Sequence, residues 1–451
     1  AGFFYIPGPD PCLKLGGLVA FDARSFTLQR AGSAGSMASS YGRSRNARDL
    51  YGSGILGRVE LDARNQTSYG TLRTFIRLDA VHATASSGVA GSLSMFNSGS
   101  NGAVLPSASK DALLASKAFI QFAGLTAGRA QSMFDFYADA LNWELLRGSN
   151  ATTNLLAYTA TFGGGFSATL SIEDEVARRT NVGTLTAAAP SIVKGAYVAG
   201  QYAETGGTRM PDIVANLRVD QGWGSAQLSG ALHRVTGVEG QTALASNGLA
   251  YPATITTHDN AIGWAVQAGV KTNLPMLAAG DALYLQAVYQ KGASSYMNGL
   301  NLVDVEGVGA TRHMGMGAWR LAGSPGITPF DFDCIMTAPG VCKQQKGYAI
   351  TAAFQHYWTP TVSQAIYGSY MKNKYDTAAL VAGAPTTNWS EVRVGTNVMW
   401  SPVKGFGIGA EVMYMGLKQS SPNAAVQGVL NAVNQTKQHE WETRIRVQRA
   451  F

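Results

Sequence analysis

Arg73 and Arg77 stand four residues apart in YGTLRTFIRLDA, with Phe75 midway between them. An extended segment rises about 3.3 Å per residue, so the two guanidiniums fall roughly 13 Å apart on one face. Leu72, Thr74, Ile76 and Leu78 take the other face. The preceding segment, GILGRVELDARN, repeats the pattern: Arg58, Glu60, Asp62 and Arg64 share one parity, Val59 and Leu61 the other. Lys14, Asp22 and Arg24 share a parity near the start, and Arg444 and Arg446 do so near the end. Fixed charges in rows select ions and orient dipolar solutes. A further group, Asp135, Asp139 and Glu144, lies in MFDFYADALNWELLRGSNATT, residues 133–153. Their near-helical spacing, beside Phe136, Leu141 and Leu145, predicts a stretch that anchors its oil and presents carboxylates to water.

Nothing in the chain resembles bond-making machinery. No G-x-S-x-G, H-E-x-x-H or phosphate-binding loop occurs. GFGIGA, residues 405–410, enters a strand pattern and not a helix, so it is no nucleotide fingerprint. The six histidines (82, 233, 258, 313, 356 and 439) are dispersed. No enzyme activity, metal or cofactor is expected. The net charge is +7, but the basic residues are scattered singly, with no basic helix and no aromatic stacking motif. Nucleic acid is therefore not an expected partner. Cys334 and Cys342 flank IMTAPGV in a segment rich in Pro, Gly and Asp. They read as a loop disulfide of an oxidising compartment, or as two unrelated free thiols. No histidine lies nearby to complete a metal set. Cys12 stands alone. AGFFYIPGPD has neither a basic nor a long apolar stretch of secretory type, so the chain reads as mature or as numbered from within.

The elements that must position these residues are short. Only 14% of the 451 residues are charged, against about 25% in a typical soluble domain. No apolar run reaches 18 residues, which excludes a helical membrane protein. There are 53 glycines. Sixteen alternating segments run from Leu13–Phe26 to His439–Phe451, where TRIRVQRAF sets Ile445 and Val447 against Arg444 and Arg446. Their connections alternate in length. QTSY, GGG, QGW, PT and KG are short; 27–53, 81–111, 133–153, 176–210, 236–261, 293–346, 374–389 and 418–438 are long. Short turns on one rim and long loops on the other predict an antiparallel transmembrane β-barrel, its oil outward to lipid and its charge inward to water. Tyr69, Trp223, Trp264, Tyr357, Trp358, Trp400 and Trp441 recur near segment ends, as headgroup-level aromatics or through ordinary strand propensity.

GFFYIPGPDPCLKLGG, YGTLRTFIRLDA, AFIQFAGLTAGRAQSMFD and the closing RIRVQRAF resemble the alphaproteobacterial porin family, in order along the whole chain. The resemblance implies an all-β, sixteen-stranded barrel as a single domain, 1–451, with short periplasmic turns, long extracellular loops and an inward-folded third loop. It implies a homotrimer in the bacterial outer membrane, among its lipid and lipopolysaccharide, passing small hydrophilic solutes and ions by passive diffusion. By position, 133–153 resembles the loop that narrows the pore, so Asp135, Asp139 and Glu144 are expected opposite Arg73 and Arg77. The other wall bases would be Arg58, Arg64, Arg444, Arg446, Lys14 and Arg24. The net charge suggests weak anion preference. A substrate-specific channel for an oligosaccharide or an anionic nutrient is the competing reading. The family carries a second cysteine before FFYIPG, which would account for Cys12. Its terminal Phe is an assembly signal. RSRNAR, residues 43–48, reads as a solvated loop or a contact to lipopolysaccharide phosphates.

Overall fold

The computed structural model describes residues 4–5, 12–28, 51–84, 110–184, 192–193, 196–197, 201–244, 250–298, 332–337, 340–382, 384, 386–432 and 436–451. Sixteen strands among them close into one antiparallel barrel. In chain order they are β1 (Cys12–Leu28), β2 (Tyr51–Thr67), β3 (Gly70–Thr84), β4 (Lys110–Phe122), β5 (Leu125–Gln131), β6 (Thr152–Gly163), β7 (Phe166–Glu173) and β8 (Asp212–Gln221). Then follow β9 (Gly224–Leu244), β10 (Ala250–Asn273), β11 (Ala282–Lys291), β12 (Lys346–Thr359), β13 (Val362–Lys374), β14 (Asn388–Val403), β15 (Phe406–Ser420) and β16 (Lys437–Ala450). Each pairs with its neighbours in sequence, and β16 returns to β1 from Leu18↔Ala450 to Leu28↔Glu440. Closure leaves the wall without a free edge, which backbone in hydrocarbon requires.

Alternation decides the facing. On β1, Ala20, Asp22 and Arg24 are buried inside, while Val19 and Phe21 are 51% and 40% exposed outside. An apolar outer face with a polar interior is the reverse of a soluble sheet. The terminal residue completes the seam. Phe451 donates its backbone N–H to the Gly17 carbonyl and accepts from the Gly17 N–H, both at 3.1 Å. A side chain at position 17 would collide with the Phe451 ring and with the Arg58 carbonyl, so only glycine admits this approach.

Several connections differ from the expected loops. The 236–261 stretch is largely strand: β9 runs to Leu244 and β10 starts at Ala250, because the hairpin ladder continues beyond the barrel wall. Gln201–Thr205 adds to it by pairing with 237–241. The 176–210 and 293–346 connections meet in a small sheet of Asn181–Thr184, Phe332–Thr337 and Val341–Gln344. Cys334 and Cys342 lie in that hairpin, joined by a disulfide with a Cα separation of 5.5 Å. Cys12 is exposed and unbridged. The 43–48 segment lies outside the described residues.

Candidate permeation pathway

Residues 132–151 leave the wall after β5, cross the lumen and rejoin at β6. No helix forms there; the segment is turns and bends, and Ala138 and Asp139 take positive φ of 44° and 55°. The expected helical spacing of the acids is overridden by contacts to the wall. A loop inside a barrel has no sheet ladder, so its backbone must find other partners. Side chains from ten consecutive strands supply them, beginning with Glu173 on β7, which accepts from the Met133 N–H at 2.9 Å. Asn216 on β8 donates to the Met133 carbonyl at 2.6 Å. Gln227 on β9 donates to the Asp135 carbonyl at 3.1 Å, and Gln267 on β10 to that of Phe134 at 2.8 Å. Gln286 on β11 accepts from the Tyr137 N–H at 2.9 Å, while Thr351 on β12 donates to the Arg147 carbonyl. Ser369 on β13 accepts from the Arg147 N–H at 2.9 Å. Asn397 on β14 donates to Leu141, Glu411 on β15 accepts from Trp143 and Glu144, and Arg444 on β16 donates to the Trp143 carbonyl. Phe134, Tyr137 and Leu146 add an apolar anchor, with Phe134 edge-on to Tyr296 at 4.7 Å.

The three loop carboxylates are consumed by this anchoring. Asp135 pairs with Arg178 at 3.0 Å and accepts from Gln131, Ser149 and the Ala151 N–H. Asp139 accepts from the Leu146 N–H, Asn142 and Asn150 at 2.7 to 2.9 Å, folding the loop on itself. Glu144 is buried against Arg444 at 2.6 Å and Arg24 at 3.6 Å. Burial, then the charge of Glu442, raises the Glu144 carboxyl above its ordinary value against the pull of both arginines. Arg24 and Arg444 are thus sealed beneath the loop, 7% and 1% exposed.

Arg73 and Arg77 have other partners than the loop acids. Arg73 binds Asp62 at 3.0 Å and Gln121 at 2.9 Å; Arg77 binds Glu60 at 2.8 Å. Cross-strand register explains it: Glu60 lies directly opposite Arg77, and Asp62 opposite Phe75, next to Arg73 on the same face. Arg64 also reaches Asp62, Arg58 reaches Asp79, and Arg446 reaches Asp22, all at 2.7 to 2.8 Å. Lys14 is exposed. Phe75 and Phe119 stack at 5.2 Å, with the Arg73 guanidinium over both rings.

Because the loop hugs β7 to β16, open space remains toward β3 to β9. One cavity of about 450 Å³ is lined by Arg73, Arg77, Lys117 and Arg218 on the wall and by Met133 and Asp135 of the loop. A second of about 530 Å³ shares Arg218 and adds Lys271, Asp220 and Phe136. Lys117 and Lys271 on β4 and β10, Arg218 on β8 and the Arg178–Asp135 pair were not singled out from sequence. The inward parity of Lys117 beside Phe119 was the available signal for the first. No sequence signal ties Arg178 to Asp135, 43 residues away.

A closed barrel with an inward loop and a charged open lumen defines an outer-membrane channel. The porin subfamily matches residues 1–444, and the chain belongs to that family. Porin Omp2b of Brucella suis biovar 1 is 29% identical over 233 residues, covering 50% of this chain and 52% of the relative. Porin Omp2b of Brucella melitensis biotype 1 is 29% identical over 229 residues, with 50% and 52% covered. The chain thus spans about half the length of the curated relatives it matches. Among solved structures, the outer membrane channel DcaP of Acinetobacter baumannii covers 100% of both chains at 14% identity and a TM-score of 0.59, a likeness of fold. The family places this chain in the bacterial outer membrane.

Proposed function

We propose that the chain forms a water-filled outer-membrane channel for passive diffusion of small hydrophilic solutes and ions, with a preference for anions. The observation that carries this is the lining of the open space. Arg73, Arg77, Lys117, Arg218 and Lys271 face it, against Asp135 and Asp220 among the acids. Glu144 and Asp139 are turned away into the loop and its anchors. An excess of fixed cations raises the local anion concentration and lowers the barrier to anion passage. The reading assigns no catalytic step.

The assembly we propose is a homotrimer. In its support, β5 and β7 have only 7 and 8 residues. A tilted strand needs about 9–11 residues to cross the hydrocarbon layer. That flank is too low to face lipid unaided, and neighbouring subunits would cover it. Reversal potential in a salt gradient across a planar bilayer tests the channel reading; a potential of cation-selective sign, or no conductance, overturns it. Native mass spectrometry in detergent tests the assembly, and monomer alone rejects it.

A further inference from the structure

Arg73 on β3 and Arg218 on β8 are built alike. Arg73 holds Asp62 through Nε and Nη2 at 3.0 and 3.1 Å, and Gln121 through Nη1 at 2.9 Å. Arg218 holds Asp220 through Nε and Nη2 at 2.7 and 2.8 Å, and Gln227 through Nη1 at 3.2 Å. Each guanidinium also stands over aromatic rings. Arg73 lies over Phe75 and Phe119 at 5.2 and 5.4 Å, and Arg218 over Phe136 at 5.7 Å. Phe136 belongs to the inward loop, and its ring rests on Gly269, where an added side-chain carbon would come within 2.3 Å of it. Both arginines line the same cavity of about 450 Å³, with 27% and 35% of their side chains exposed.

This construction decides what the two cations offer a solute. The fork of each guanidinium is already taken by a carboxylate, so neither has it ready for a carboxylate in transit. One side of each plane is covered by rings. What is left toward the open space is the other side of a flat, delocalised cation. Such a surface takes a second flat π system, because guanidinium stacks on aromatic faces. The hold is modest, as a permeating solute requires in order to leave again.

The acid group of such a solute has partners close by. Lys271 stands over Tyr284 at 5.4 Å and makes no hydrogen bond or ion pair among the described residues. It shares the cavity of about 530 Å³ with Arg218, and Lys117 shares the other with Arg73. Both volumes fall within the roughly 300–1,000 Å³ of small-molecule sites.

We propose that Arg73 and Arg218 are two stacking stations for planar aromatic carboxylates, the ring laid on the guanidinium plane and the acid group turned to Lys117 or Lys271. The inference rests on the channel reading above and adds to it a preference among organic anions.

The test measures block of the chloride current through the full chain in a planar bilayer. The probes are benzoate and cyclohexanecarboxylate, which share charge and approximate size but differ in the flat π face. The ratio of their blocking constants is read for each protein, so a change in general anion conductance divides out. Wild type should bind benzoate about two- to fivefold more tightly, and Lys404→Gln at the short-turn rim should keep that ratio. The double variant Arg73→Lys, Arg218→Lys keeps both charges and loses both planes, so its ratio should fall to about one. Each single replacement is measured as well, so a double variant that fails to assemble still leaves a reading. Equal block by the two acids in wild type overturns the proposal, as does a wild-type ratio in the lysine variants. Tighter block by maltotriose than by benzoate also overturns it, since the rings would then serve a sugar. The channel reading falls separately, on absent or cation-selective conductance in wild type.

Discussion

Glu144 in the inward loop and Arg444 in the last strand lie 2.6 Å apart, although 300 residues separate them in sequence. Arg444 also binds Glu442 at 3.0 Å and approaches Glu411 at 3.6 Å. With Asp22 at 3.5 Å, one guanidinium thus holds four carboxylates in the sealed space between loop and wall. Replacing it by Gln leaves those acids without their shared counter-charge, at a cost of about 3–5 kcal/mol. The expected outcome is a lower melting temperature and a larger, noisier single-channel conductance as the loop loses its hold. A variant with wild-type conductance and melting would refute this role.

Neutralising Arg73 and Arg77 together should shift selectivity toward cations. Both line the open cavity, and their removal also takes Arg77 from Glu60 and leaves Asp62 with Arg64. Such half-exposed pairs contribute about 1 kcal/mol or less to stability, so the barrel should remain folded. The reversal potential in a salt gradient is the measurement. An unchanged value means that these arginines do not control ion passage.

Glu175 gives a dependence on pH with a definite sign. It sits in a single turn, Glu175–Ala177, after β7, with both carboxylate oxygens buried and unbonded among the described residues. Burial pushes its carboxyl up to about 7 from an ordinary 4.5. A raised carboxyl binds its proton more tightly folded than unfolded. Its contribution is complete below about 4.5 and disappears as pH rises through about 7, for a change on the order of 3 kcal/mol. Melting temperature followed across that window should fall for wild type and stay flatter for Glu175→Gln. Parallel slopes for the two proteins would rule the assignment out.

Substituting both Cys334 and Cys342 by Ser should loosen the inner hairpin alone. Opening a loop this short removes about 2–3 kcal/mol of constraint on the unfolded segment. Limited proteolysis within 332–345 should accelerate while the barrel's own melting holds. Loss of the folded barrel would show that the hairpin is needed for assembly.

The wall was legible in the sequence because lipid permits one parity. Val19 and Phe21 have to point outward, and Ala20, Asp22 and Arg24 follow inward. The loop was legible as a place but not as a set of contacts. An inward Gln227, Gln267 or Gln286 has the same pattern whether it meets water or a loop carbonyl, so the anchors of 132–151 carry no periodic signal. The partners of Asp135 and Glu144 were hidden for a related reason. They come from residues 43 and 300 positions away, brought near only by the closed circuit of the strands. The extension of β9 and β10 was masked by the small and polar residues of 236–261, which look like a connection and pair as a ladder.

The loop's attachment to ten successive strands has a mechanical consequence. A hollow cylinder of hydrogen-bonded ribbon yields by ovalising, since sideways pressure meets only the bending stiffness of a single layer. Here an internal strut runs along more than half of the circumference, and flattening the cylinder would stretch or break several of its tethers at once. Deformation on the braced side is resisted in proportion to their number, and the unbraced arc from β2 to β6 is left as the compliant one. Membrane tension, or the pressure of a neighbouring subunit, would therefore change the shape of the opening from that side alone. The arginines of that arc ride on the part of the wall that moves.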